Sequence, residues 1–128
     1  MLLAINLLTL NFPLYAESLN DYLWKNRVII TFSNTEKNLQ RRLFMQQINQ
    51  YQCEYKKRDL VHIDLIQGTD QYIRLSKKYS ISGHDFKLLL LGKDGEVKLN
   101  TSSIDLTEVF SLIDTMPMRK REMPNDEC

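Results

Sequence analysis

Hydrophobic and polar residues alternate along the first half of the chain in blocks that predict strands and helices in turn. Residues 27–33 and 60–66 are rich in β-branched, aromatic and other apolar side chains, and both runs predict strands. Between them, up to about residue 57, there is no Gly or Pro, and apolar residues recur at near-helical spacing, which predicts one long helix. Residues 70–79 predict a second, shorter helix.

The second half predicts a buried strand, a hairpin and a last helix. Residues 86–91 include four consecutive leucines, and a run this apolar indicates burial on both faces at the centre of a sheet. Asp94-Gly95 is a strong hairpin signal, and residues 96–99 then alternate like an outer strand with one face in water. Asp105 opens a final helix that we expect to end at Pro117.

The predicted order of elements is β-α-β-α-β-β-α. Strands joined by helical crossovers are expected to run parallel, and the two strands joined by the tight hairpin are expected to run antiparallel. This order predicts an α/β domain with a thioredoxin-like, mixed four-stranded sheet and helices on both faces. The domain is predicted to span residues 17–123, and residues 124–128 form a short polar tail.

Residues 1–16 carry no charge and are nearly all apolar. The run is shorter than the about 20 residues of a membrane-spanning helix, and it resembles the apolar region of a secretory signal peptide that ends at Ala16. Signal peptides open with Lys or Arg, whereas the first basic residue here is Lys25, so a membrane-associated anchor or a buried helix is the alternative. The favoured interpretation is a cleaved leader on an exported protein, periplasmic or extracellular, whose mature chain has no integral membrane span.

The 128 residues include 17 Lys+Arg and 16 Asp+Glu, a net charge of +1 at pH 7. This balance produces no field that would attract nucleic acid, so the expected partner is a protein. Two cysteines are too few for a disulfide scaffold or a four-ligand zinc finger, and no glycine-rich loop opens a helix to hold phosphate. The sequence therefore predicts no cofactor and no metal ion.

Four strings in the chain resemble a known family. They are YLWKNR at residues 22–27, RDLV at 58–61, LLLGKDGEVKL at 89–99 and IDTMPMRKREM at 113–123. Together they resemble a domain-of-unknown-function family of peroxiredoxin-like, thioredoxin-fold domains. That family occurs in small secreted bacterial proteins and in animal extracellular proteins, notably the sushi-repeat-containing proteins and coiled-coil-domain-containing protein eighty. The resemblance implies a secreted thioredoxin-like domain, and it supplies no established reaction and no agreed catalytic residues.

A thioredoxin-like oxidoreductase needs a thiolate, usually in a Cys-x-x-Cys motif, at the start of the helix after the first strand. Here that position, the vacated turn, consists of Ser33, Asn34 and Thr35, and Ser33 with Glu36 has the spacing of a helix-capping box. A hydroxyl cannot cycle through a disulfide. Residues 81–86 also lack the proline that such enzymes place beside the thiolate. Redox exchange at this turn is excluded chemically, which favours a non-catalytic binding or structural module.

Cys53 and Cys128 are the only cysteines of the chain. Cys53 is interpreted first as a small buried hydrophobic residue, and a Cys53–Cys128 disulfide is an alternative in an oxidising compartment. An enzymatic alternative is a thiol peroxidase or oxidoreductase that uses Cys53 together with Cys128. Spacing alone does not decide among these interpretations.

His62 and Asp64 are two residues apart on a predicted strand, so their side chains share one face. One interpretation is a metal-ligand or acid–base pair. The favoured one is a histidine hydrogen-bonded to a neighbouring carboxylate, because His84 is the only other histidine and completes no ligand spacing.

A basic cluster near the C-terminus has two interpretations. As a candidate partner surface, it combines adaptable methionines with cations. Its residues are Met118, Arg119, Lys120, Arg121 and Met123. In the favoured alternative, the arginines pair with Asp59 or Asp114 and lock the last helix onto the sheet.

Overall fold

The computed structural model describes residues 18–125 and 127–128, and the predicted leader lies outside this range. The described elements are a 3-10 turn (Leu19–Tyr22), β1 (Arg27–Ser33), α1 (Leu39–Gln50), α2 (Gln52–Lys56), β2 (Leu60–Ile66), α3 (Asp70–Lys78), β3 (Phe86–Leu91), β4 (Val97–Thr101), α4 (Leu106–Asp114), α5 (Pro117–Glu122) and a 3-10 turn (Met123–Asn125). None of the helices in these residues is long and apolar enough to cross a membrane.

The four strands form one sheet in the order β2-β1-β3-β4. β1 and β2 are parallel and β3 and β4 are antiparallel, as predicted. The expectation that strands joined by helices run parallel is wrong for β3, which is antiparallel to β1. The loop after α3 returns the chain to the end of β1, where Asn34 N–H donates to Asp85 O at 2.9 Å. β3 therefore starts beside the end of β1 and runs back along it.

One face of the sheet packs against α1, α2 and α4. Ile29 of β1 and Leu88 and Leu90 of β3 point to this face, where they cluster with Phe44 of α1 and Ile113 of α4. All five side chains are fully buried. This core fixes the positions of α1 and α4 over the centre of the sheet.

The opposite face packs against α3 and the N-terminal 3-10 turn. Ile30 of β1 and Leu89 of β3 cluster here with Tyr72 of α3 and Leu19 of the turn. Successive residues of a strand point to opposite faces, so the neighbouring Leu89 and Leu90 belong to different cores. The predicted burial of β3 on both faces is thereby confirmed.

The capping box predicted at Ser33 and Glu36 is wrong, and α1 begins later than expected. Ser33 is the last residue of β1 and pairs with both neighbouring strands, so it stays in the sheet. Asn38 caps α1 instead, because its side chain accepts a hydrogen bond from Arg41 N–H at 3.0 Å.

Two further helix ends differ from the prediction. The helix expected to continue to about residue 57 is interrupted at Tyr51, whose φ of −111° and ψ of 39° separate α1 from α2. The Tyr51 ring packs edge-on against Phe110. At the other end of the chain, α4 stops at Asp114, and Pro117 begins α5 because a first-turn residue needs no N–H donor within the helix.

Truncating the central strand tests this packing. Leu89→Ala and Leu90→Ala should each lower the free energy of unfolding by about 2–5 kcal/mol, because both side chains are 0 % exposed. Leu39→Ala is the control, since Leu39 is 61 % exposed and its truncation should change stability by no more than about 0.5 kcal/mol. Urea denaturation measures all three, and losses below about 1 kcal/mol at both buried sites would contradict the sheet order.

Candidate functional site

The vacated turn lies at the end of β1 and carries a buried hydroxyl. Ser33 is 0 % exposed, and its Oγ has no hydrogen-bond partner among the described residues. Thr35, two residues on, is exposed on the turn. The fold thus presents no sulfur at the position where a thioredoxin-like enzyme holds its reactive thiolate.

Two asparagines close this turn with hydrogen bonds of their own. Asn34 Oδ1 accepts from Thr35 N–H and from Asn38 Nδ2, each at 2.9 Å. Asn38 Nδ2 also donates to Asp85 O at 3.1 Å. Asn38 also caps α1. The side chains of Asn34 and Asn38 therefore hydrogen-bond to neighbouring backbone groups and to each other, and these bonds close the turn formed by Ser33, Asn34 and Thr35.

A polar cluster lies on the sheet face below α1. Thr31 Oγ1 is 2.8 Å from His62 Nε2 and 3.2 Å from Asp64 Oδ1. An ionised carboxylate only accepts, so we assign the Thr31 hydroxyl as donor to Asp64 and as acceptor from His62 Nε2–H. Arg41 of α1 completes the cluster with bonds of 2.7 to 3.1 Å to the Asp64 carboxylate.

This environment keeps His62 neutral at pH 7. Burial lowers the pKa of His62 to about 4, and the nearby charge of Asp64 offsets only part of that effect. The His62 ring also packs edge-on against Phe44. The histidine reaches the carboxylate through the Thr31 hydroxyl rather than directly. In residues 18–125 and 127–128, no group of three or more His, Cys, Asp or Glu side chains is arranged to hold a metal ion.

An ion-pair network lies at the opposite end of the sheet, where β1 begins, about 20 Å from the vacated turn. Glu122 of α5 accepts hydrogen bonds from Arg27 at 3.1 and 3.3 Å and from Lys93 at 2.8 Å. Lys93 also pairs with Asp59 at 2.8 Å. Burial acts to raise the pKa of Glu122, but the bonds from Arg27 and Lys93 outweigh it and hold the pKa below its ordinary value.

Asp114 is the second centre of the ion-pair network. It accepts two hydrogen bonds from Arg58, at 2.8 and 3.0 Å, and one from Arg119 at 3.0 Å. Burial acts to raise the pKa of Asp114, but these bonds outweigh it and the pKa lies below its ordinary value. Arg58 also stacks over Phe110, 4.4 Å from the ring centroid. These contacts lock α5 to α4 and to the start of β2.

The prediction that Arg119 belongs to a partner surface is wrong, because this residue is only 1 % exposed. Its guanidinium bonds Asp114 and the Lys57 carbonyl, the latter at 3.2 Å. The alternative prediction, pairing with Asp114, is confirmed for Arg119. It is wrong for Arg121, which is exposed and forms no ion pair with a described residue. The other residues of the predicted surface stay accessible, three exposed and one half-buried: Lys120, Arg121, Met123 and Met118.

A groove of about 220 Å³ lies beside the ion-pair network, between Trp24 and the segment of residues 116–118. Trp24 is 65 % exposed. Its φ of 65° is left-handed, which costs a bulky residue about 1–3 kcal/mol. The conformation is held by a hydrogen bond of 2.7 Å from Trp24 N–H to Lys93 O. No pattern in the sequence marks Trp24 as a site residue, although it is the only tryptophan of the chain.

The four strings that carry the family resemblance meet at this end of the sheet. Each supplies side chains to the ion-pair network or to the groove. The residues are Trp24 and Arg27, Arg58 and Asp59, Lys93, and Asp114, Arg119 and Glu122. The residues that carry the family resemblance therefore lie far from the vacated turn.

Cys53 of α2 and Cys128 form a disulfide, with their Cα atoms 5.7 Å apart. Both residues are exposed, so the interpretation of Cys53 as a buried hydrophobic residue is wrong and the disulfide alternative is confirmed. Glu54, next to Cys53, pairs with Arg58 of the ion-pair network at 3.0 Å. The disulfide therefore fastens the end of the chain close to that network.

Comparison with solved structures identifies the fold as thioredoxin-like. The reduced 2-Cys peroxiredoxin of Plasmodium vivax has a TM-score of 0.63 at 12 % identity, covering 80 % of this chain and 84 % of its own. Yeast mitochondrial 1-Cys peroxiredoxin has a TM-score of 0.55 at 14 % identity, with 76 % and 85 % covered. Thioredoxin f2 of Chlamydomonas reinhardtii has a TM-score of 0.52 at 12 % identity, with 71 % and 79 % covered.

The family assignment comes from the sequence. The chain belongs to the family described as a domain of unknown function, DUF4174, whose model matches residues 18–122. A separate comparison with curated proteins finds no significant match. The match covers the sheet, all five helices, the ion-pair network and the groove.

Neutralising the centre of the ion-pair network should destabilise the fold. Glu122→Gln leaves the buried charges of Arg27 and Lys93 without their shared carboxylate, so we expect a loss of about 2 to 4 kcal/mol. Glu96→Gln changes an exposed carboxylate and is the control, with an expected effect within about 0.5 kcal/mol. Urea denaturation near pH 7 compares them, and equal effects would contradict the role of Glu122.

His62 should make stability depend on pH. Its pKa in the folded state, about 4, is below the ordinary value of 6.5, so the unfolded chain binds the proton first as pH falls. The contribution of neutral His62 is complete above pH 6.5 and is lost as pH falls from 6.5 towards 4. Between about pH 7 and pH 5, the wild type should lose about 2 kcal/mol more than His62→Gln. Denaturation at both pH values measures this difference, and parallel losses would refute it.

Proposed function

We propose that the protein is an exported, non-catalytic binding module on a thioredoxin-like scaffold, and that its partner is a protein. Its contact surface combines the groove beside Trp24 with the accessible part of the predicted surface. The second of these regions comprises Met118, Lys120, Arg121 and Met123.

One observation carries this proposal: the chain keeps a coherent thioredoxin-like core, while the segment between β1 and α1, where this fold holds a reactive thiolate, contains no cysteine. Ser33 Oγ is buried at a strand end, and the turn after it is closed by Asn34 and Asn38. Both cysteines are joined in a disulfide near the other end of the sheet. Neither a free thiol nor a hydroxyl activated by a base lies at the vacated turn.

Export is supported by two independent features. The uncharged, apolar run of residues 1–16 has the length of a signal-peptide core. The Cys53–Cys128 disulfide belongs to the chemistry of oxidising compartments, such as the periplasm and the extracellular space.

A thiol peroxidase or oxidoreductase that uses Cys53 with Cys128 is the second candidate. The observation that favours it is the exposure of both cysteines, with Lys56 and Lys57 lining the same surface depression as Cys53. Nearby ammonium groups would stabilise a Cys53 thiolate after reduction. Against it, the disulfide lies far from the strand end where this fold holds its reactive groups.

Thiol assays separate the two candidates. The purified protein should contain no titratable thiol when denatured without reductant, because Cys53 and Cys128 are paired. It should neither reduce insulin in the presence of dithiothreitol nor consume hydrogen peroxide with a thioredoxin system above the blank. Cys128→Ser should leave these rates at the blank, and should lower the free energy of unfolding by about 4 kcal/mol because the disulfide closes a long loop.

The matched comparison is Cys53→Ser with Cys128→Ser, which removes the disulfide without leaving an unpaired thiol. If the proposal holds, this double variant resembles Cys128→Ser in stability and the wild type in its lack of turnover. Turnover by the wild type that Cys53→Ser abolishes would establish the enzymatic candidate instead.

A further inference from the structure

We propose that the groove between Trp24 and residues 116–118 binds an acidic peptide segment of a partner protein, with a large apolar side chain of that segment packed against Trp24. This inference rests on the proposed function and names the chemistry of the partner. It is carried by the exposure of Trp24, the rigidity of the groove and the unpaired cations beside it.

Trp24 is held in an exposed position by the fold. It is 65 % exposed, whereas the core aromatic Phe44 is 0 % exposed. Its left-handed φ of 65° is fixed by the bond to Lys93 O. Strained, over-determined residues are concentrated at functional sites, and tryptophan is the residue most enriched among the energetic anchors of protein interfaces. An indole kept in water by an unfavourable backbone conformation therefore indicates a contact residue.

The groove is preformed because its floor belongs to the ion-pair network. Arg27 lines it and is 1 % exposed, tied to Arg58 O at 3.0 Å and to Glu122. Met116 and Met118 line the groove together with Trp24, and Met116 also packs against the core below α4. Methionine adapts to side chains of different shape, and a rigid floor reduces the entropy lost on binding. These features suit the insertion of an apolar side chain from a short segment.

The charges around the groove are complementary to an acidic segment. Lys25 follows Trp24, and Lys120 and Arg121 follow Met118; all three cations are exposed, and none forms an ion pair with a described residue. The nearby carboxylate of Asp94 is already paired with Lys98 at 2.9 Å. The hairpin also carries the exposed carboxylate of Glu96, which forms no ion pair with a described residue. Three cations against one carboxylate leave a net positive charge for a partner, which would steer an acidic segment to the groove and suppress a basic one.

A polyanion such as heparin is a weaker match. It would use the cations and leave Trp24 and the methionines without apolar contacts. Affinity for a polyanion grows with the number of cations it neutralises, and three unpaired cations offer little. The apolar side chains of Trp24, Met116 and Met118 are the feature of the groove that favours a peptide.

The test uses the purified full chain and three short fluorescein-labelled peptides, followed by fluorescence polarisation. The first contains Glu and Asp around two Leu, the second replaces the acidic residues by Lys, and the third replaces Leu by Ser. The first should bind most tightly, and its affinity should fall as ionic strength rises from about 0.05 M to about 0.3 M. Trp24→Ala should weaken binding by about tenfold or more, and Lys120→Glu with Arg121→Glu should do the same.

The controls lie on α3, which contributes no residue to the lining of the groove. Ile73→Ala removes a side chain that is 48 % exposed, and Arg74→Glu with Lys77→Glu reverses two exposed cations. Both should bind the first peptide like the wild type. Circular dichroism of each variant before binding separates loss of contact from loss of fold. A Trp24→Ala variant that unfolds is replaced by Trp24→Gln, for which the same loss of binding is expected.

Three results would overturn the inference: no binding of the first peptide, equal binding of the basic peptide, or equal losses for Trp24→Ala and Ile73→Ala. These failures are distinct from a failure of the proposed function. The thiol and peroxide assays do not involve the groove, and a protein that is inert in them but lacks peptide affinity loses only the present inference.

Discussion

The position of the C-terminal helix depends on the carboxylate of Glu122, which lies between two buried cations. The side chains of Arg27 and Lys93 are 1 % and 9 % exposed, and charges this deeply buried are tolerated only when they are paired and hydrogen-bonded. Through them Glu122 joins α5 to the start of β1 and to the hairpin between β3 and β4. Met118 lies one helical turn before Glu122, so this pairing also determines where the methionine side of the groove stands.

The two ends of the sheet differ in the groups that they gather. Where β1 ends, Ser33 and Asn38 close a turn that contains no sulfur. Where β1 begins, the ion-pair network, the groove and the disulfide are gathered. Cys53, which forms the disulfide, is next to Glu54 in α2, and the Glu54 carboxylate pairs with Arg58. A covalent bond and an ion pair therefore hold the same region. The end without sulfur is closed by its own hydrogen bonds, and the other end presents a charged surface.

Local pattern was sufficient to predict β1, β2 and β3 to the residue, because a short apolar run of β-branched, aromatic or leucine residues is a property of the strand itself. Helix ends were less predictable. Ser33 has good capping chemistry, but its pairing with two remote strands excluded it. The basic cluster shows the same limit: Arg119 and Arg121 look alike in the sequence, and only the approach of Asp114 makes one buried and the other exposed. The conformation of Trp24 also depends on a distant group, the carbonyl of Lys93.

Stability alone does not explain an ion-pair network of this size, because well-packed apolar residues in place of buried ion pairs often stabilise a protein equally or better. Apolar packing would not fix the orientation of α5. Arg58 bonds Asp114 through two nitrogens, and Arg27 bonds Glu122 in the same way, so planar, paired hydrogen bonds orient α5 as well as holding it. Lys93 takes part twice, since its ammonium pairs with Glu122 while its carbonyl holds Trp24 in the left-handed conformation. The ion-pair network and the hydrogen bond that holds Trp24 therefore share one residue, Lys93. Loss of the ion pairs would disorder the groove before it disordered the sheet.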